Sequence, residues 1–136
     1  MIKIFKKSGI EEGKKIEYMS ILFRPIETKE IWENCAKIIV NQSKEKTSRY
    51  HYELLHWLEN KQWPGYDIIF EYIKKIPETD LYKTYGFCIK EADKEQKNEW
   101  LNNLISLLKG NDLYNYLTED EKRIINKMRK KWQYGY

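Results

Sequence analysis

The 136-residue chain has few of the residues that interrupt or cross-link a fold: three prolines, six glycines and two cysteines. The scarcity of proline and glycine leaves room for long helices. Cys35 and Cys88 have no secretory context, which argues against a disulfide framework. The glycines are scattered at positions 9, 13, 65, 86, 110 and 135, so the chain has no glycine-rich phosphate-binding loop.

Long apolar runs are also absent. No uncharged apolar stretch approaches the roughly 18 residues that would span a bilayer. The first seven residues, Met1 to Lys7, lack the apolar region of a signal peptide. We therefore expect a cytoplasmic protein with no membrane association.

The chain does contain ample material for a hydrophobic core. Hydrophobic residues make up 41% and aromatic residues 15% of the chain, a composition that argues against disorder. The length predicts one domain over residues 1–136. The net charge of +4 is uneven, because both ends are basic and the middle third is acidic. Such a distribution is not typical of a dedicated nucleic-acid-binding protein.

From residue 28 onward, apolar residues recur at helical spacing and predict six helices. Thr28 is the expected N-cap of the first helix, which ends near 41–43. We expect the second helix to begin near Thr47 or Ser48, and the third to carry Pro64 at its first position. Pro77 ends the third helix.

Local end signals mark the remaining helices. Gly110 is a suitable left-handed C-cap for the fifth helix, and Thr118 to Glu121 form a capping box at the start of the sixth. Gly86 lies inside the fourth helix, where it could allow the close approach of a neighbouring helix. Ile124, Ile125, Met128 and Trp132 of the sixth helix are expected to face the core.

The links between residues 43 and 95 are short, which favours antiparallel helical hairpins. The prediction is an all-α fold, arranged as a compact bundle or a short α-solenoid. Residues 1–26 are ambiguous: a helix over 14–24 and a β-hairpin both fit their pattern. Residues 27–136 hold the helical hairpins.

The residue types that usually carry catalysis are sparse. His51 and His56 are five residues apart, which puts them about 140° apart on a helix rather than on one metal-binding face. They are expected at a helix surface or flank. Cys35 and Cys88 fall on apolar stripes, without a histidine in their own helices. Glu91 belongs to a run of alternating charges typical of an exposed helix face. We predict no enzymatic activity, no metal and no cofactor.

The segment from Leu54 to Pro64 is the most distinctive of the chain, because it places a tryptophan on each side of a helix–turn–helix corner. It resembles a family of small bacterial all-α proteins of unknown function with HEAT-like helical hairpins, whose shared segment reads Leu-Leu-x-Trp-Leu, four residues, then Trp-Pro. All six fixed positions are filled here. Glu99 and Trp100, before a leucine-rich helix, are similar to a later segment of that family. His56 stands where the family tends to have an acid.

Related helical proteins often accompany bacterial toxins, so the resemblance implies an immunity protein that neutralises a cognate toxin by direct binding. Tyrosine and tryptophan, favoured anchors of such interfaces, number eleven and five. We expect the partner to contact the acidic middle third, with the following candidate partner-binding residues: Glu53, His56, Glu59, Asp67 and Glu71. The alternative is nucleic-acid or anionic-ligand binding through the basic, aromatic C-terminal helix, which we regard as the weaker hypothesis.

Overall fold

The computed structural model describes residues 29–133, and every regular element within that range is helical. The α-helices are α1 (Lys29–Val40), α2 (Lys44–Thr47), α3 (His51–His56), α4 (Tyr66–Lys74), α5 (Glu78–Lys94), α6 (Asn98–Ser106) and α7 (Glu119–Gln133). Short 3-10 segments cover Ser48–Tyr50, Trp57–Glu59 and Leu113–Tyr116. The all-α prediction is confirmed for this range, whereas residues 1–26 and Thr28 lie outside it.

Helix α5 is the centre of the packing. Its predicted apolar stripe is buried throughout, at Leu81, Tyr85, Cys88, Ile89 and Ala92. This helix has extensive contacts with α3, α6 and α7, and α1 packs on α4. The buried Tyr85 hydroxyl donates a hydrogen bond to the Leu104 carbonyl at 2.7 Å, which satisfies a polar group inside the core. Helix α5 therefore contacts three other helices: α3, α6 and α7.

The corner between α3 and α4 is held by indoles, as its two tryptophans predict. The Trp57 side chain is buried and donates from Nε1 to the Pro64 carbonyl at 3.2 Å. Trp32 of α1 packs edge-on against both Trp57 and Trp63, with ring centroids 5.8 and 5.2 Å apart. Offset and edge-on aromatic pairs are the favourable geometries. The corner is therefore a rigid junction of three helices.

The predicted capping box at the start of α7 is present. The Glu121 amide donates to Thr118 Oγ1 at 3.3 Å, and Glu121 Oε1 accepts from the Thr118 amide at 3.0 Å. The Glu121 carboxylate is buried and lies against Gly86 of α5, where a Cβ would come within 2.4 Å of it. The prediction that Gly86 permits a close helix approach is confirmed.

Three predicted boundaries were wrong. The second helical run begins at Lys44, because the Ser43 side chain accepts from the Lys46 amide and caps it before Thr47. Pro64 does not begin α4, because Gly65 intervenes with a φ of 85°, in the left-handed region. Gly110 has the positive φ expected of it, 81°, but it is not the C-cap of the fifth helix, because α6 ends at Ser106 with Leu107 as its C-cap.

The core holds the side chains that the periodicity assigned to it, with one exception. Cys35 and Cys88 are both buried as thiols, as are Ile125 and Met128 of α7. Trp132, predicted to face inward, is 44% exposed and hydrogen-bonds to Asn102 at the surface. No helix within residues 29–133 has the length and apolarity that crossing a bilayer requires.

Candidate functional site

His56, at the end of α3, is the centre of a cluster of glutamates. Its side chain is only 7% exposed. Nδ1 lies 2.9 Å from Glu59 Oε2, within hydrogen-bonding geometry. Nε2 lies 2.9 Å from Glu91 Oε1, a close ionic contact that lacks the alignment of a hydrogen bond. One imidazole thus connects two carboxylates through opposite ring nitrogens.

Glu91 is brought to this site by α5. The Tyr52 hydroxyl, on α3, donates to both oxygens of the Glu91 carboxylate at 2.9 Å. The Tyr52 ring also packs edge-on against His56, with centroids 4.3 Å apart. Two residues one turn apart on α3 therefore fix one carboxylate of α5. Because hydrogen bonds to a charged group are stronger than neutral ones, this arrangement ties the two helices together.

The other side of the imidazole rests on Trp100. The two ring centroids are 4.2 Å apart, and the Trp100 indole donates from Nε1 to the Leu55 carbonyl at 2.9 Å. Lys97, which lies 5.6 Å from the Trp100 ring centroid, donates to Glu59 Oε1 at 2.9 Å. The imidazole of the site thus rests on an aromatic ring, and Lys97 lies at the rim beside Glu59.

A third glutamate, Glu53, belongs to the same cluster. Burial raises the pKa of the Cys88 thiol, and the charges of Glu91, Glu53 and Glu59 raise it further. Each of the three carboxylates therefore lies close enough to Cys88 for its charge to act on the thiol. Oε2 of Glu53 is buried with no hydrogen-bond partner among the residues described. We refer to His56 with Glu53, Glu59 and Glu91 as the His56 cluster.

The cluster adjoins an exposed aromatic side chain. Phe87 of α5 is 55% exposed, and its ring centroid lies 5.9 Å from that of Tyr52. Tyr52 thus joins Phe87 to His56 in one continuous patch. We call Tyr52, Phe87 and the His56 cluster together the Phe87 surface. It combines an exposed apolar side chain with three carboxylates. Among residues 29–133, Lys97 is the only lysine that forms an ion pair with one of them.

The structure brings together three of the five residues singled out in the sequence: Glu53, His56 and Glu59. Asp67 and Glu71 are exposed on α4, and within the described range neither has a hydrogen bond or ion pair to the His56 cluster. Asp67 acts instead on Tyr66, whose pKa is raised to about 12 by burial and by the charges of Asp67 and Glu99. The role of all five residues in partner binding stays a prediction.

Two expectations about single side chains were wrong. His51 and His56 were expected at the surface or flank of a helix, yet both are buried. Glu91 was assigned to an exposed helix face, yet its side chain is only 17% exposed and contacts His56. The alternating charges around Glu91 correctly predict that its charged neighbours in the sequence are exposed. They do not predict the burial of Glu91 itself, which results from the packing of α3 on α5.

The arrangement suits binding by charge better than it suits a metal or a nucleophile. The two carboxylates meet opposite ring nitrogens, so they cannot converge with the imidazole on one ion. Among residues 29–133 no group of three or more histidine, cysteine or acidic side chains is placed to hold a metal. Burial and the nearby carboxylates keep Cys88 protonated at neutral pH, and the thiolate is the reactive form of cysteine.

The Glu59 carboxylate gives the cluster a pH signature. Burial acts to raise its pKa, but hydrogen bonds from His56 and Lys97 outweigh this and lower the pKa below 4.5. A carboxyl whose pKa is lowered by folding stabilises the fold above its unfolded pKa and loses that contribution as pH falls. Glu59→Gln should therefore lower the free energy of unfolding at pH 7 by up to about 1 kcal/mol, the range of a partly exposed ion pair.

The deficit of Glu59→Gln should shrink as the pH falls below the unfolded-state pKa and disappear once the carboxyl of the folded wild type is protonated. Urea denaturation of both proteins at several pH values measures it. Glu45→Gln, a change at an exposed glutamate outside the cluster, is the matched control and should follow the wild type. A Glu59→Gln deficit that persists unchanged in acid would contradict the assigned hydrogen bonds.

The comparisons with known proteins add no relative to this picture: the chain matches no protein-family model, no curated protein and no solved structure.

Proposed function

We propose that this domain binds a protein partner through the Phe87 surface, and that the partner presents basic side chains to it. The observation that carries the proposal is a largely exposed phenylalanine that packs against Tyr52, whose hydroxyl holds Glu91 of the His56 cluster. Interfaces are anchored by a few aromatic side chains, and charged groups around an anchor select a partner of opposite charge. Both features occur here on one patch.

The rigidity of the surface supports the same proposal. Phe87 lies on the 17-residue helix α5 rather than on a loop, and Tyr52 is fixed by its hydrogen bonds to Glu91. A side chain that is already ordered loses less conformational entropy on binding. The buried, unpartnered oxygen of Glu53 adds an unused hydrogen-bond acceptor beneath this surface.

The sharpest form of the proposal is an immunity protein that neutralises a cognate bacterial toxin. The resemblance of the segment from Leu54 to Pro64 to small bacterial helical proteins supports it, as does the acidic charge of the middle third of the chain. An acidic surface is the expected complement of a toxin with a basic active cleft. The partner's activity should then fall as the two proteins reach equal amounts.

A second candidate function rests on a basic groove along α7. The residues lining it are Tyr114, Glu119, Lys122, Arg123, Asn126, Lys127 and Lys130. Lys122 Nζ and the Arg129 guanidinium lie 5.3 and 5.6 Å from the Tyr114 ring centroid. Cations interleaved with an aromatic ring are typical of sites for single-stranded nucleic acid. Ion pairs within α7, such as Arg123 with Asp120 at 3.0 Å, reduce that positive charge.

Affinity capture from the native cells tests the first proposal. Tagged wild-type protein should retain one stoichiometric protein at moderate salt, and Phe87→Ser should lose it, with an affinity lower by about thirtyfold or more if Phe87 is an interface hot spot. Tyr116→Ser is the matched control, because Tyr116 is an exposed aromatic residue (43%) that contacts Tyr82 rather than the Phe87 surface. It should retain the partner.

Equal recovery of the partner by Phe87→Ser and by the wild type would place the interface elsewhere. Retention of nucleic acid alone, released steeply by salt, would favour the groove on α7 instead.

A further inference from the structure

A cavity separate from the Phe87 surface lies where the end of α1, the α2 turn, the end of α4 and the start of α5 meet. Its volume is about 290 Å³, close to the lower limit for small-molecule sites. Val40, Ile76 and Pro77 provide apolar walls. His51 lines it, whereas His56 faces the glutamates, because five residues on a helix separate two side chains by about 140°.

The polar groups of the cavity are few and converge. Thr47 Oγ1 and the Tyr72 hydroxyl lie 2.6 Å apart in a hydrogen bond that joins α2 to α4. Both residues line the cavity, with the buried His51 beside them. An apolar cavity with a small number of placed hydroxyl and imidazole groups is the usual form of a specific site for a small organic molecule.

The charges around the cavity decide the class of ligand. Two lysines, Lys44 and Lys75, line it against one acid, Asp80. Burial lowers the pKa of His51, and this effect outweighs the charge of Asp80 and a hydrogen bond to the Asp80 backbone, both of which act to raise it. The imidazole is therefore neutral at pH 7, so the side chains that line the cavity carry a net charge of +1.

We infer that this cavity binds a small organic anion with an apolar body, such as an aromatic carboxylate. The apolar walls take the body, the Tyr72 hydroxyl donates a hydrogen bond to the anionic end, and Lys44 and Lys75 balance its charge. The site is independent of the proposed protein interface. Loss of partner binding at Phe87 would leave it intact, and the absence of ligand binding here would leave the Phe87 surface intact.

Three probes of one shape test the inference: naphthoate, neutral naphthamide and cationic naphthylmethylammonium. Each is titrated into the full chain while backbone amide shifts are followed by NMR. Naphthoate should give saturable shifts confined to amides near Thr47, His51 and Tyr72, with none near Phe87. Its dissociation constant should be on the order of 1 mM or tighter, as expected for a fragment, and the other two probes should bind more weakly.

Lys75→Gln supplies the test of charge. It should weaken naphthoate by about two- to fivefold, the range of a partly exposed ion pair, and leave naphthamide unchanged. Lys94→Gln, at the exposed end of α5 and outside the cavity lining, is the matched control and should leave both unchanged. The inference is overturned by shifts that map elsewhere, by no saturable binding up to the solubility limit, or by equal or tighter binding of the cationic probe.

Discussion

Trp100→Ala is expected to lower the free energy of unfolding by about 3–5 kcal/mol, the range for removal of a large buried aromatic side chain. Trp100 is 1% exposed, so its removal leaves a cavity in the core. The hydrogen bond from its indole to the Leu55 carbonyl is lost as well. His56 loses the ring on which it rests, 4.2 Å away, so the His56 cluster should become mobile together with the loss of stability.

Urea denaturation measures the change in the free energy of unfolding. Two further tryptophan variants serve as references for its size. Trp100→Phe retains an aromatic ring without the indole donor and should fall between the wild type and Trp100→Ala. Trp132→Ala removes a tryptophan that is 44% exposed and should change stability by no more than about 1 kcal/mol. Equal losses for Trp100→Ala and Trp132→Ala would contradict the central position assigned to Trp100.

Gly65→Ala should be nearly as damaging, with an expected loss of about 2–5 kcal/mol. Two effects combine at this residue. Its φ of 85° is strained for any residue with a Cβ, by about 1–2 kcal/mol. The added Cβ would also lie 2.7 Å from the Ala36 Cβ, which forces α1 away from the corner; overpacking of this kind is destabilising by about 1–3 kcal/mol.

Gly110→Ala separates these two effects. Gly110 has nearly the same positive φ, 81°, but a Cβ there would meet nothing within 4 Å. It should therefore show the backbone strain alone, about 1–2 kcal/mol. Comparison of the two variants by urea denaturation gives the contribution of packing against Ala36 as their difference. A difference near zero would mean that α1 is not tightly packed on the corner.

The parts of the fold that the sequence predicted are those governed by local chemistry. The capping box of Thr118 and Glu121 requires four consecutive residues, and the left-handed Gly110 requires one. The core stripe of α5 follows from spacing along a single helix. None of these features depends on how the helices are arranged, so composition and periodicity suffice to find them.

The candidate site depends on contacts that spacing along the chain does not encode. Glu91 meets Tyr52 across 39 positions, and Trp100 reaches the Leu55 carbonyl across 45. The sequence indicated Glu53, His56 and Glu59 because they lie close together on one segment. It missed Glu91, which only the packing of α5 on α3 brings to them, and it missed Phe87, whose neighbours in the sequence are core residues. Glu91 and Phe87 were missed for the same reason: spacing along the chain does not show which helices pack together.

The burial of the two histidines also follows from helix pairing. Each side of α3 is covered by a different part of the fold: Trp100 lies over His56, and the start of α5 lies near His51. Their separation by five residues places the two imidazoles in different surroundings. The same separation gives the domain two distinct polar sites on one short helix.

If the Phe87 surface is the interface for a protein partner, binding should protect its amides. Hydrogen–deuterium exchange of this protein, measured alone and in complex with the captured partner, shows whether it does. Exchange should slow on binding in α3 and in the part of α5 around Phe87 and Glu91, and stay unchanged in α7. Protection confined to α7, with α3 and α5 unchanged, would contradict the proposed interface and assign binding to the basic groove.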